Sequence, residues 1–323
     1  PPERLWSGTL TGLRYARHSP IILAQLLRTI AYSGAGAALW ALLPAIAAQR
    51  LGLGATGFGF LMGCLGTGAV AAGLVLGRVR ARLGLEGLVA TGCLVFAAVM
   101  LVAAFVRVPL VVFVSLALGG AAWMAVMATF NTATQSSAPP WVRSRAVALH
   151  TLSALGSFAL GSALWGAVSG VAGLPVTLSL AALAMVGSIF LARPFPLRMG
   201  DAHEVTPVAL LADLQFKDAP QPGDGPVSVE LAYRIRDGES AEFLHAVTQL
   251  RASRHRDGAT LWRVYRDLSD PSRYVERFIV SSWADYLRQR ARATLADQAV
   301  EAQVHEFLRE GETVTMQHYI AER

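Results

Sequence analysis

The chain has 323 residues, 54% hydrophobic and 15% charged, with mean hydropathy +0.44 and a formal net charge of +6. Soluble domains run at about 45–50% apolar and about 25% charged, so a single soluble globule, a disordered chain and a disulfide-rich secreted scaffold are excluded. Residues 1–200 carry thirteen arginines, no lysine and two acids (Glu3, Glu86), giving +11, whereas residues 201–323 carry fifteen basic and twenty acidic residues, giving −5; the basic excess sits in the apolar half, and a nucleic-acid partner is not expected.

Residues 1–19 read as a cytoplasmic lead-in. They open at Pro1-Pro2 without methionine, so the chain is expected to be a piece of a longer protein. Six apolar stretches follow, at about 21–48, 57–77, 86–106, 109–132, 146–170 and 174–193. Each meets the roughly 20 apolar residues that span about 30 Å of hydrocarbon. Only Arg107 and Val108 separate the third stretch from the fourth. Runs such as Gly63–Gly68 and Gly156–Ser162 are rich in small residues, which let helix backbones approach closely in lipid. The expected architecture over 20–194 is an all-α polytopic bundle of six transmembrane helices.

Arginine counting sets its orientation. Arg4, Arg14 and Arg17 precede the first stretch; Arg78, Arg80 and Arg82 follow the second; Arg143 and Arg145 follow the fourth; Arg193 and Arg198 follow the sixth. The opposite loops hold only Arg50 and Arg107. Both ends are therefore expected in the cytoplasm, with the chain multi-pass in the inner (plasma) membrane.

Residues 194–226 hold six of the fifteen prolines and read as an extended linker, bounded at 195–226. A cytoplasmic domain is expected at 227–323. Residues 227–236 alternate as a strand with one buried face, and Asp237-Gly238 turns the chain. Phe243, Leu244, Val247 and Leu250 fall at helical spacing over 240–254. Residues 260–267 and 274–282 read as strands, 283–308 as helix broken near Thr294, and 313–320 as a closing strand. The order β-α-β-β-α-β predicts a ferredoxin-like α+β sandwich.

Several residues are candidates for chemistry. Arg28 lies about eight residues into the first stretch, where a charge is costly and a functional site is the default reading. The alternative is snorkelling to the cytoplasmic interface. Gln25, Arg28 and Tyr32 share one helical face, and Trp123, Met127 and Asn131 form a similar stripe on the fourth stretch. Packing accounts for such an aromatic and methionine stripe as readily as recognition does. No Asp or Glu lies within a span, Glu86 sits at a span edge, and His150 reads as interfacial.

Cys64 and Cys93 lie in apolar runs without metal-ligand spacing, so no metal site is expected. No Walker-type loop, nucleophile elbow or zinc motif is present, and no cofactor is expected. The tail offers Trp262, Tyr265, Trp283, His245, His255 and His318 without a diagnostic spacing, and His245 reads as solvent-exposed.

These residues carry a resemblance. Leu26-Leu27-Arg28, Ala37–Pro44, Leu51–Ala55 and above all Gln135–Ala148 resemble the transmembrane secretion effector branch of the major facilitator superfamily, which includes siderophore exporters of the enterobactin type and drug exporters. Arg256–Ala259, Arg266–Pro271 and Ser282–Gln289 extend it through the tail. The resemblance implies twelve spans, of which this chain looks like the carboxy-terminal six. It implies a secondary active exporter of a small amphipathic molecule, working by alternating access with a missing amino-terminal six-helix half. Its partners are then the lipid bilayer, that missing half and a small-molecule substrate. The first and fourth spans would line the cavity, making Gln25, Arg28, Tyr32, Trp123, Met127 and Asn131 substrate candidates. Proton coupling would reside in the missing half.

Gly77–Gly84 is similar to the superfamily's cytoplasmic loop motif without its acid, making Arg78, Arg80 and Arg82 loop candidates. Trp141, Arg143 and Arg145 are interface or gate candidates. The tail is similar to antibiotic-biosynthesis-monooxygenase-like domains, which implies a homodimer through the tail as a further expectation. Fold does not transfer activity, so the chain is not expected to be an enzyme. The alternative is a membrane-tethered monooxygenase-like, dimerising or sensing domain anchored by the spans.

Overall fold

A computed structural model describes residues 5–208 and 220–321. They fall into two compact units. One comprises residues 21–136 and 146–199; the other gathers the lead-in up to Pro20, residues 137–145 and the chain from Gly200 onward.

In the first unit, α2 (Pro20–Ala45) follows α1 (Leu5–His18) of the other unit and runs into a π-helical turn at Ile46–Arg50. Pro44 sits just before that turn and has no N–H for the helical ladder. The wider turn closes with the Leu51 N–H on the Ile46 carbonyl at 3.2 Å. Next come α3 (Ala55–Phe105), α4 (Pro109–Ser137) and α5 (Arg143–Ser188), the last ending in a 3-10 turn at Ile189–Ala192. Pro109 occupies the first position of α4, where no backbone donor is needed. Among the described residues, four helices are long and apolar enough to cross a membrane.

Two of those four are broken by a glycine. Gly84 in α3 has φ 68° and ψ −178°; Gly173 in α5 has φ 76° and ψ 166°. Side chains with a Cβ are excluded from this region, so only glycine makes the corner without strain. The break in α3 reverses the chain. Gly68 packs against the Ala117 carbonyl, while Val99 packs against Gly119, two residues further along α4. A straight helix would separate Gly68 from Val99 by roughly 46 Å. Thus the second and third apolar stretches lie on the two arms of α3 either side of Gly84, and the fifth and sixth on the two arms of α5 either side of Gly173. The arginine-bearing segment after the second stretch is helical through Arg82 instead of forming an open loop, because the reversal is compressed into Gly84.

Close backbone approach holds this unit together. A Cβ at Gly68 would strike the Ala117 carbonyl, and one at Gly120 would strike the Leu65 carbonyl. The core includes Leu39, Leu43, Phe96, Met100, Phe130 and Met185. Its outward positions are apolar too: Leu74 is 79% exposed, Leu160 76% and Val171 93%. Apolar residues inside and outside the same helices are what a hydrocarbon solvent selects.

The second unit contains a mixed α/β domain. After the short α6 (Ala202–Val205) come β1 (Val227–Arg234), α7 (Ser240–Asp257), β2 (Leu261–Arg266), β3 (Arg273–Val280), α8 (Trp283–Arg292), α9 (Leu295–His305) and β4 (Thr315–Ile320). The sheet order is β2-β3-β1-β4 and every pair is antiparallel. Val227 faces Val280 and Ile320; Tyr233 faces Tyr274. Alternate β1 residues (Val227, Val229, Leu231, Tyr233) are buried against the helices with Phe243, Val247, Leu250 and Tyr286. The helix expected over 283–308 with a break near Thr294 is α8 and α9, parted at Ala293–Thr294, where Thr294 and Asp297 form a reciprocal cap and start α9 anew.

The linker expected at 195–226 is more structured than its prolines suggest. Asp201 and Glu204 cap α6, and Pro207 bridges to Thr294. The stretch 209–219 lies outside the described residues. The lead-in, read only as a basic segment, forms α1 and packs along α7. Arg14 Nη1 donates to the Gly258 carbonyl at 3.4 Å, and His18 stacks on His255 at 5.6 Å.

Candidate functional site

The first unit carries a polar stripe along α2. Gln25, Arg28 and Tyr32 are all buried, at 0%, 3% and 1% exposure. Gln25 Nε2 donates to the Arg198 carbonyl at 3.3 Å. Arg28 Nη1 donates to both carboxylate oxygens of Glu86 at 2.6 Å, and the Leu197 N–H donates to Glu86 Oε1 at 2.5 Å. Glu86 lies two residues past the Gly84 corner, so the corner delivers an acid to the buried arginine. The sequence pattern placed Glu86 at a span edge without a partner. The available signal was that residues 5–200 hold one acid and that Arg28 is the deepest arginine of the first stretch. Thr29 Oγ1 lies 3.4 Å from His150 Nδ1, and His150 is buried in the bundle.

The α4 stripe meets α2 directly. Tyr32 stacks on Trp123 at 5.2 Å, with Phe96 and Phe130 each 6.2 Å from Tyr32. Trp40 and Phe158 stand edge-on to Trp123 at 5.9 and 6.1 Å. Gly36 makes this possible, because a Cβ there would collide with the Trp123 ring. Ser33 Oγ donates to Met127 Sδ at 3.6 Å. Asn131 Oδ1 instead accepts from Gln135 Nε2 of its own helix at 2.5 Å. So of the six predicted residues Tyr32, Trp123 and Met127 meet across α2 and α4, Gln25 and Arg28 turn to the Arg198 carbonyl and Glu86, and Asn131 bonds along α4.

This wall contains unmet hydrogen-bonding capacity. Among the described residues, Arg28 Nε, Tyr32 OH and Trp40 Nε1 are buried polar atoms without a protein partner. They recur along one helix at positions 28, 32 and 40. Buried donors left unsatisfied cost about 1–3 kcal/mol each, and natural proteins keep few of them.

The loop candidates divide. Arg78 and Arg82 are exposed, while Arg80 is half-buried and donates to Thr129 Oγ1 at 3.4 Å. Trp141, Arg143 and Arg145 belong to the second unit. The Trp141 ring meets Tyr15 edge-on at 5.5 Å and carries the Arg292 guanidinium over its face at 4.3 Å. Arg143 Nε donates to the Ala138 carbonyl at 3.2 Å, and Arg145 lies against Gly12.

The mixed α/β domain has its own buried charge centre, which residue spacing did not reveal. Glu276 is 0% exposed and accepts from Arg254 Nε at 3.0 Å, Trp262 Nε1 at 2.9 Å and Tyr233 OH at 2.8 Å. Burial pushes its carboxyl up, but Arg254 and these hydrogen bonds outweigh that and hold it below the usual range. Asp257 behaves oppositely. Burial pushes it up to about 6, only partly offset by Arg256. His245 is exposed, and His318 Nε2 lies 2.6 Å from Tyr286 OH. Among the described residues no group of three His, Cys, Asp or Glu side chains is placed to hold a metal ion.

Searches of curated proteins and of solved structures return no match. One family model, described as transmembrane secretion effector, matches residues 1–323. That span takes in both the apolar helices and the mixed α/β domain. The chain therefore belongs to the transmembrane secretion effector family, and is a multi-pass membrane transporter of the major facilitator type, not an enzyme.

Proposed function

We propose that this chain exports a small amphipathic molecule, of the siderophore or drug class, by alternating access. The observation that carries the reading is the row of unpartnered buried polar atoms on α2, Arg28 Nε, Tyr32 OH and Trp40 Nε1, set beside the aromatic surface of Trp123 and Phe158. An aromatic wall with a few uncommitted donors suits a molecule with a flat apolar body and acceptor groups. Arg28, whose charge Glu86 balances, offers its free Nε as a donor to a carbonyl-rich or anionic cargo group.

The reading has three structural parts. The glycine corners at Gly84 and Gly173 divide α3 and α5, giving six membrane crossings in place of four. Arginine placement supports a reading in which both ends of the chain face the cytoplasm from the inner membrane. A six-crossing bundle forms one wall of a cavity, so transport requires a complementary six-helix bundle against it. The soluble domain is ferredoxin-like, supported by its sheet order β2-β3-β1-β4 and its β-α-β-β-α-β order.

The test is efflux from cells carrying substitutions at the native gene, loaded with a fluorescein-type anion or a rhodamine-type cation. Arg28→Ala and Tyr32→Phe should each slow anion efflux about tenfold or more at unchanged protein level, the loss expected when a buried hydrogen-bonding group to a ligand is removed. Efflux of both dyes at the wild-type rate in both variants overturns the assignment of this face.

A further inference from the structure

The lead-in helix α1 has two faces of different character. Thr11, Tyr15 and Ala16 are buried where it packs along α7 and the segment 137–145. Leu10 and Leu13 are turned outward, at 45% and 56% exposure, and Arg17 is exposed beside them. Spacings of three and four residues put these three on one side of the helix. α1 carries no acidic residue, and Arg17 and His18 occupy its last turn. A helix packed on a soluble domain turns polar and charged residues to water on its free face. Two leucines with an arginine are instead the pattern of a helix lying in a bilayer surface.

Two points fix α1 against the hydrocarbon. Ser19 alone separates its end from Pro20, the first residue of the apolar helix α2. Gly12 packs on Arg145 so closely that a Cβ on Gly12 would lie 3.0 Å from the Arg145 Cβ. Arg145 is the third residue of α5, and the fifth apolar stretch begins at the next position. Gly12 and Ser19 are seven residues apart, about 10 Å along a helix. Both ends of that interval meet the start of a membrane-crossing helix, so α1 runs along the boundary and not away from it. Leu13 follows Gly12 directly. Tyr15 and Trp141, in edge contact, supply the aromatic pair that is enriched at this depth.

We propose that the outward face of α1 is a docking surface for anionic phospholipid, with Leu10 and Leu13 among the upper acyl chains and Arg17 on a headgroup phosphate. Lipid is favoured over a protein as the occupant because the face is continuous in the chain with the start of α2, and because an acid-free basic helix complements anionic headgroups. The proposal rests on the membrane crossings read above and is independent of the cargo and of the α2 face.

The experiment uses the full chain, one copy per lipid nanodisc, with Cys64→Ala and Cys93→Ala removing the native thiols. A bimane dye is attached in turn through Leu10→Cys, Leu13→Cys, Leu160→Cys on the outside of α5, and Glu310→Cys as an exposed reference in the mixed α/β domain. Lipid brominated in the upper acyl chain should quench the dye at 10, 13 and 160 at least about twofold more than at 310, and aqueous iodide should quench in the opposite order. In phosphatidylcholine discs, a small fraction of spin-labelled phosphatidylglycerol should quench the dye at 13 about fivefold more than the same fraction of spin-labelled phosphatidylcholine, the enrichment that ~1 kcal/mol for one basic residue gives. Arg17→Gln should erase most of that difference. Because Leu10 and Leu13 are both exposed, either position reports if a label at the other disturbs folding. Bromolipid quenching at 160 without quenching at 10 and 13 overturns this proposal alone; no quenching at 160 overturns the membrane crossings and this proposal with them. Shielding of 10 and 13 from both quenchers means that a protein covers the face, and equal quenching by the two spin-labelled lipids means that the face does not select anionic headgroups; each of these overturns the proposal as well.

Discussion

The Arg28–Glu86 pair predicts an asymmetry that an exposed ion pair would not show. The Arg28 side chain is 2% exposed and that of Glu86 is 40% exposed. Glu86→Ala leaves a guanidinium buried without its counter-charge, a change that costs about 3–5 kcal/mol. Arg28→Ala leaves a carboxylate that water reaches and that keeps the Leu197 N–H, so the loss is about 1 kcal/mol. For a unit of this size each kcal/mol moves the melting temperature by about 2–4 °C, so Glu86→Ala should lower it by about 6–20 °C and Arg28→Ala by about 2–4 °C. Arg28→Leu with Glu86→Leu should recover most of the stability, because the desolvation cost disappears with the charges. The assay is thermal unfolding of the purified chain in detergent, read as a double-mutant cycle. Arg28→Ala proving as damaging as Glu86→Ala would refute the burial argument. The mild effect expected of Arg28→Ala is also what allows it to report on export.

Two further outcomes follow from packing and titration. Gly120→Val should destabilise the membrane unit by about 1–3 kcal/mol, because its Cβ meets the Leu65 carbonyl, whereas Gly66→Ala meets nothing and should be tolerated; equal melting temperatures for the two would contradict the close α3–α4 crossing. Burial raises the Asp257 carboxyl from its ordinary 3.8 to about 6 in the folded chain, so the folded state holds that proton more tightly. The resulting stability is complete below about pH 4 and is lost as pH rises through about 6, with an upper bound of about 3 kcal/mol at 1.4 kcal/mol per unit. Asp257→Asn should remove this component, seen as a smaller difference in β3 amide protection between about pH 5 and about pH 7.5; an undiminished difference would rule Asp257 out as its source.

Much of this protein follows from composition and periodicity, since those features act locally. Helix in lipid needs only a run of apolar residues able to satisfy its own backbone, so residues 20–194 declared a membrane bundle before any contact was known. Strand alternation over 227–236 and the turn at Asp237-Gly238 marked the first strand and its end. The same local patterns could not show that Gly84 and Gly173 would take positive φ, because most glycines in these runs stay helical. Nor could they show that the lead-in folds as α1 against α7, since that helix is stabilised by a partner more than two hundred residues away.

The candidate face was half legible. Helical spacing brought Gln25, Arg28 and Tyr32 onto one side of α2 and Trp123 and Met127 onto one side of α4, because a 3.6-residue period is a property of each helix alone. Which helix faced which was not local. Tyr32 stacking on Trp123 depends on Gly36 opposite the ring, and Arg28 meeting Glu86 depends on the Gly84 corner fifty-six residues on. The buried Glu276 centre is a stronger case: Tyr233, Arg254, Trp262 and Glu276 come from three strands and a helix and share no spacing. Sequence alone determined the solvent each half of the chain was built for, because transfer free energy sums over residues one at a time. Tertiary structure alone decided which buried charges met and which polar atoms were left open, because a hydrogen bond or ion pair exists only once two distant segments are held within about 3 Å.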